Sequence, residues 1–393
     1  MSRISVLVIA VALLSLNAQT VGAATSTVFL DMSPTSTFAQ QFCPLVGGVN
    51  TCAVEGSAKD SKGNLYLAMA LPKGQILKVI PDGTVTIYAT FPLSNAQDPT
   101  ALDFDAVNLR LAFDKNDNLY ASYIDVVDTI SKTPTAYTGV WEIPVGGGQC
   151  VLSSGPCAMV WPKTLTTPLL RFPDGIALGG RGILYVADSQ MGNIWRVNLG
   201  TGSAILWSGV DANSSPNFLS GNPFDILLGF SSDPVLNRGL GVTTIALDSE
   251  GGNLYAATFD RGAVVRVPVN NDGSAGTQEV VLDLSAQDQQ LDGIYIDNKS
   301  ATLFVTHEIS QLNALVNFIF NGGPFVSLID GHEVLAADLS QSNIIFSSLV
   351  NVPALGEAAA VITGIGSKKK DLYVNVLGST EGATTPKIMK VTF

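Results

Sequence analysis

Asp174 lies in the stretch FPDGIALGGRGILYVADSQMGNIWRVN, residues 172–198, directly ahead of a short apolar run. An aspartate in a Pro-Asp-Gly sequence can serve the backbone by capping its own turn, or it can offer oxygen to a metal ion. Calcium takes 6 to 8 oxygens at about 2.3–2.6 Å, so one aspartate makes no site unless others converge on it. The turn role has a parallel in PDGT, residues 81–84, which falls between two strand-like runs. His307 has Glu308 beside it and His332 is followed by Glu333, and each reads as an ordinary strand-end or loop residue. Nucleophile and phosphate chemistry lack a carrier. There is no GxSxG elbow, and the glycine loops GGVN, VGGGQC and GGRG lack the lysine and the strand–helix setting of a phosphate cradle.

The four cysteines form two close pairs, Cys43/Cys52 and Cys150/Cys157, each bracketing a short loop. In an exported chain such pairs oxidise to disulfides. Four cysteines permit three connectivities, and local pairing is the simplest. A zinc–thiolate centre is the alternative, but the chain has only 2 histidines and no CxxC. Export is expected from the N-terminus. Arg3 precedes the apolar run Ile4–Leu16, and Val21-x-Ala23 follows as a small-residue cleavage signal. That run is shorter than the roughly 20 residues of a membrane span. Residues 1–23 therefore read as a signal peptide and 24–393 as one secreted domain. Asn213-Ser-Ser and Asn298-Lys-Ser are glycosylation sequons suited to that compartment.

What must position these residues is a repeat. SKGNLYLAM (61–69), KNDNLYASY (115–123), GRGILYVAD (180–188), EGGNLYAAT (250–258), KSATLFVTH (299–307) and KKKDLYVNV (368–376) are copies of one strand after one turn. A strand precedes most copies, as in LRLAFD, TTIALD and DGIYID, and another follows after a glycine, as in GQILKV, GNIWRVN and GAVVRVPV. Four-stranded units of about 40–50 residues, padded by loops, are the signature of a propeller, whose blades bury their faces only against neighbours. Six copies predict an all-β, six-bladed propeller of antiparallel four-stranded blades. HEVLAADLSQSNIIFSSLV (332–350) is a further strand pair that leaves a degenerate seventh blade open. STVFLDM (26–32) stands alone and is expected to complete the last blade beside KIMKVTF (387–393). EAAAVI (357–362) is the one short helix candidate. Val126–Lys163 and Ser208–Leu240 read as insertions at the channel mouth, the second carrying the apolar PNFLSGNPFDILLGF. Charged residues are only 14%, and the net charge is −12. That balance argues against nucleic acid or an anionic membrane as partner and suits a cation.

The pattern PDGIAL, LYVAD, GNIWRV resembles the blade of the senescence-marker-protein/gluconolactonase (regucalcin-like) family, and is similar to NHL-repeat and strictosidine-synthase-like propellers. The resemblance covers roughly residues 50 to 393. It implies one divalent metal, calcium or zinc, at the mouth of the central channel, no nucleotide cofactor, and hydrolysis of lactones or esters. The family's early glutamate corresponds to Glu55 in Val54-Glu55-Gly56, and its asparagine to Asp174. Its later aspartate falls near Thr243 in GVTTIALD, which is a departure from the pattern. Asp292 in LDGI occupies a comparable point one blade later and is an alternative ligand. A paraoxonase-like site would instead use His307 and His332, and a strictosidine-type enzyme a late glutamate, Glu308 or Glu357.

Two functions follow as expectations. One is a metal-dependent hydrolase in which Glu55, Asp174 and Asp292 hold an ion that polarises a carbonyl and activates water. The other is a non-catalytic, monomeric propeller that binds a small molecule at its channel, or a sugar or protein partner; the Thr243 departure favours it, while the acidic charge and the placement of Glu55 and Asp174 favour the hydrolase.

Overall fold

The computed structural model describes residues 25–46, 48–93, 106–126, 134–152, 154–162, 170–209, 218–219, 240–259, 261–284, 289–297, 299–309, 332–341, 344, 346–351, 362–363, 371–376 and 387–392. The described chain opens with β1 (Thr25–Asp31) and a six-residue helix α1 (Thr37–Phe42), whose N-cap Ser36 accepts a hydrogen bond from the Ala39 amide. A small hairpin follows, β2 (Leu45–Val46) and β3 (Val49–Asn50), bracketed by the Cys43–Cys52 disulfide.

Six blades come next. Blade one holds β4 (Ala53–Lys59), β5 (Leu65–Leu71), β6 (Gln75–Val79) and β7 (Val85–Thr90). Blade two holds β8 (Ala106–Phe113), β9 (Leu119–Asp125) and β10 (Gly139–Ile143); the chain then detours through β11 (Gly148–Gln149) before the outer strand β12 (Ala158–Trp161). Blade three is β13 (Pro173–Gly179), β14 (Ile183–Asp188), β15 (Asn193–Asn198) and β16 (Ala204–Ser208). Blade four is β17 (Val242–Leu247), β18 (Asn253–Thr258), β19 (Ala263–Pro268) and β20 (Glu279–Asp283). Blade five is β21 (Gln289–Asp297), β22 (Thr302–Ile309), β23 (His332–Asp338) and β24 (Phe346–Asn351). Blade six is β25 (Ile362–Thr363), β26 (Asp371–Val376) and β27 (Lys387–Thr392), completed by β1, which runs antiparallel to β27 with Thr25 opposite Thr392. Innermost strands touch in the order β4, β8, β13, β17, β21, β25 and back to β4, so the ring closes.

The Leu-Tyr pair that marks the repeats, Leu303-Phe304 in blade five, explains why blades stack. Successive strand residues face opposite sides. Leu119, Leu184, Leu254 and Leu303 pack toward the preceding blade, while Tyr66, Tyr120, Tyr185 and Tyr255 pack toward the following one. Leu65 and Tyr373 close the series between blades one and six. The second strand of a blade is thus buried on both faces, as in β5, where all residues are buried. The core is a set of wedges between blades.

Two readings need correction. Residues 332–350 are not a seventh blade but the outer half of blade five, because β23 pairs with β22 and β24 with β23. Val126–Lys163 is not an insertion, since it carries the two outer strands of blade two. Within it, Cys150–Cys157 closes a loop that lays β11 parallel to β7 and covers part of blade one's outer edge. Its glycines make that approach possible: a Cβ on Gly147, which has φ +73°, would stand 1.9 Å from the Tyr88 carbonyl oxygen. The observed helix is α1, which no periodicity announced. The proposed helix at 357–362 lies outside the described residues except Ile362, which is in a strand. Residues 1–23, Asn213, Asn298 and most of Ser208–Leu240 also lie outside them.

Candidate functional site

Each of the first five innermost strands has a register shift that leaves one or two of its residues out of the pairing. The shifts fall between Val54 and Gly56, Asn108 and Leu111, Pro173 and Ile176, Val242 and Thr244, and Leu291 and Gly293. The residues left out of the pairing are Glu55, Leu109 with Arg110, Asp174 with Gly175, Thr243, and Asp292. A bulge re-aims the side chain of its extra residue. Asp174 and Asp292 are therefore bulge residues inside strands, not turn formers. Asp82 of PDGT is the turn former, accepting the Thr84 amide at 2.8 Å between β6 and β7.

Glycine follows the acid where neighbouring strands crowd. A Cβ on Gly175 would lie 2.8 Å from both the Thr243 carbonyl oxygen and the Ile245 nitrogen of blade four. Gly175→Ala should accordingly cost about 1–3 kcal/mol of stability by overpacking, read as a lower urea midpoint. Gly180→Ala, whose Cβ would meet nothing within 4 Å, should be neutral by comparison.

The bulges bring Glu55, Asp174 and Asp292 around one guanidinium, that of Arg110. Asp292 Oδ1 accepts from the terminal nitrogen Nη2 at 2.5 Å, Glu55 Oε2 lies 3.5 Å from Nη1, and Asp174 Oδ1 lies 3.5 Å from Nε. Nη1 also donates to the Glu55 and Leu109 carbonyls at 3.1 and 3.2 Å, and Nε donates to Thr244 Oγ1 at 3.2 Å. Thr244 in turn donates to the Asp292 carbonyl. The Arg110 amide is held by Ser122 Oγ and the Gly293 amide by Thr306 Oγ1, both at 2.9 Å. All four charged residues are buried, with 6% exposure or less.

Three carboxyls against one guanidinium in a dry site cannot all ionise freely. Burial pushes Glu55 up to about 7; Arg110 opposes the rise, and Asp292 and Asp174 add to it. Burial likewise pushes Asp174 up to about 7 against the pull of Arg110. Burial disfavours charge on Arg110 too, yet Asp174, Asp292 and Glu55 hold it more firmly protonated than an ordinary arginine. Ser189 Oγ lies 2.7 Å from the Val242 carbonyl oxygen and 3.0 Å from Asp174 Oδ2, so its one hydrogen serves two acceptors, and its donation to Asp174 opposes the rise. Asp174 Oδ1 accepts no hydrogen bond.

Asp188, at the end of LYVAD, went unnoticed in the sequence. It is fully buried and accepts the Arg171, Phe172 and Met191 amides at 2.9, 3.1 and 3.3 Å, fixing the chain just before Asp174 and just after Ser189. Burial raises it to about 6 in spite of those bonds. Thr243 is buried with its hydroxyl 3.4 Å from the Leu291 carbonyl, tying blade four to blade five, while Thr244 beside it meets Arg110. In blade five, β22 and β23 set His307 opposite Glu333 and Glu308 opposite His332. Glu357 lies outside the described residues.

A divalent cation does not fit this donor set as it stands, because an ion among the three carboxylates would meet the Arg110 guanidinium as a like charge. Among the described residues, no group of three or more His, Cys, Asp or Glu is arranged to hold a metal ion.

No known protein family profile matches the chain, and no curated protein is significantly similar to it in sequence. Solved structures share its shape. A protein assigned as a gluconolactonase aligns at TM-score 0.51 and 11% identity, over 92% of this chain and 97% of its own. A luciferin-regenerating enzyme aligns at 0.52 and 11%, over 87% and 92%. The PQQ-bound aldose sugar dehydrogenase of Streptomyces coelicolor aligns at 0.50 and 12%, over 94% and 98%. At such identities the likeness is one of fold. The chain is a six-bladed β-propeller, as its repeats suggested.

Proposed function

We propose that this is an exported propeller that binds a small polar molecule at its axis, over the cluster of Arg110 with Glu55, Asp174 and Asp292. The observation that carries the reading is that four innermost strands, β4, β8, β13 and β21, spend bulge residues on one buried charged cluster, to which β17 adds Thr244 beside its own bulge. Structural ion pairs do not need five blades. The two disulfides, the leader-like N-terminus and the acidic charge support secretion. The carboxyls outnumber the guanidinium, so the expected ligand is rich in hydrogen-bond donors, such as a polyol or an amine. A thermal-shift screen of polyols, amines and lactones tests this. A compound that raises the melting midpoint of wild type but not of Asp174→Asn or Glu55→Gln would support it; a panel that shifts neither would not.

One observation favours hydrolysis as a second reading. Glu55 and Asp174 both sit near 7, where one carboxyl can give a proton and the other can take one at neutral pH. On this reading, lactone or aryl-ester hydrolysis persists in chelator, and Asp174→Asn lowers kcat/KM by roughly 10²–10⁴-fold. Equal rates for wild type and Glu55→Gln would remove the reading while leaving the binding one intact.

A further inference from the structure

We infer that Arg110 is the resident cation of this propeller: its guanidinium holds the position of charge that a divalent ion would otherwise hold among Glu55, Asp174 and Asp292, and the axis is complete without metal. Each carboxylate faces a different nitrogen of the fork, Glu55 at Nη1, Asp174 at Nε and Asp292 at Nη2. A guanidinium stays charged at any pH a protein survives and presents its donors in a fixed plane, so it can stand permanently where an exchangeable ion would come and go. The side chain is built in from below. Its residue is one of the extra pair in the β8 bulge, its amide is pinned by Ser122, and its remaining donors reach the Glu55 and Leu109 carbonyls and Thr244. The carboxylates are likewise fixed by bulges of their own strands and do not reach Arg110 by chance of rotamer. Asp174 Oδ1, buried and without a hydrogen bond, marks where the guanidinium serves less well than a symmetric ion would. This concerns what holds the acids together and is independent of any ligand that binds over them.

The test is thermal melting of wild type, Arg110→Ala and Arg110→Lys in calcium, in zinc and in chelator. Wild type and Arg110→Lys, which keeps a cation at the axis, should melt at the same temperature in all three. Arg110→Ala leaves three carboxylates around a space, and should gain a calcium-dependent rise on the order of 5 °C at roughly 100-fold excess over its dissociation constant. Adding Asp174→Asn to Arg110→Ala should remove the gained response. A wild-type protein stabilised by calcium would overturn the inference, since an ion would then displace or join the arginine. So would an Arg110→Ala chain that calcium neither stabilises nor refolds.

Discussion

Arg110→Met is expected to destabilise the protein by about 3–5 kcal/mol, because it removes one partner of a buried ion cluster and leaves the others uncompensated. Methionine fills much of the same volume, so the loss reports charge and hydrogen bonding rather than a cavity. The expected signature is a pH dependence of the deficit. At pH 5 Glu55 and Asp174, both raised to about 7, carry protons and need no counter-charge, so the deficit should shrink; at pH 8 it should be full. Chemical denaturation of wild type and variant at the two pH values measures it. A deficit of the same size at both would show that Arg110 acts through packing and its backbone bonds alone.

The wild-type protein should itself lose stability as pH rises from about 4 to about 8, by several kcal/mol. The sign follows from proton counting. Unfolded, Glu55 and Asp174 release their protons near 4.5 and 3.8; folded, they keep them until about 7, and Asp188 keeps its proton to about 6. Between those limits the folded state binds more protons, so each step up in pH favours unfolding. Below the window both states are protonated, and above it neither is, so the curve should be flat at each end. Asp174→Asn should flatten the middle. A wild-type protein that instead grows more stable across this range would show that the axial carboxyls are ionised and well paired.

Much of the architecture could be read from the residues because blades are repetitive in what they must bury. The leucine and the tyrosine of LYVAD and its kin face two different neighbours, so both must be apolar, and that demand recurs in every blade. The lone strand STVFLDM and the two local cysteine pairs were legible for a similar reason: each leaves an obvious partner unclaimed. Blade five was misread because the long stretch between Ile309 and His332 hides the pairing of β22 with β23. Detection of the site was only partial. Acid followed by glycine at 55–56, 174–175 and 292–293 does mark three bulges, although Asp174 also reads as a turn former in the sequence. Arg110 carried no such mark. It follows leucine instead of preceding glycine, it belongs to none of the familiar ligand patterns, and only the ring brings it within reach of residues as far along the chain as Asp292. Asp188 was hidden in a different way, since an aspartate at the end of LYVAD reads as a strand terminus until its three amide partners are seen.

Because Thr25 pairs with Thr392, the last blade borrows its outer strand from a segment that precedes the first blade. A ribosome delivers β1 before the five blades and β27 after them, so five blades can stack while the sixth waits, its edge bare, for β27. Contacts this distant in sequence form late, and an unfinished ring with an open edge is the species most prone to association with its own kind. Loss of a few residues of β1 or β27 should therefore be felt in yield and aggregation during synthesis long before it is felt at the axis.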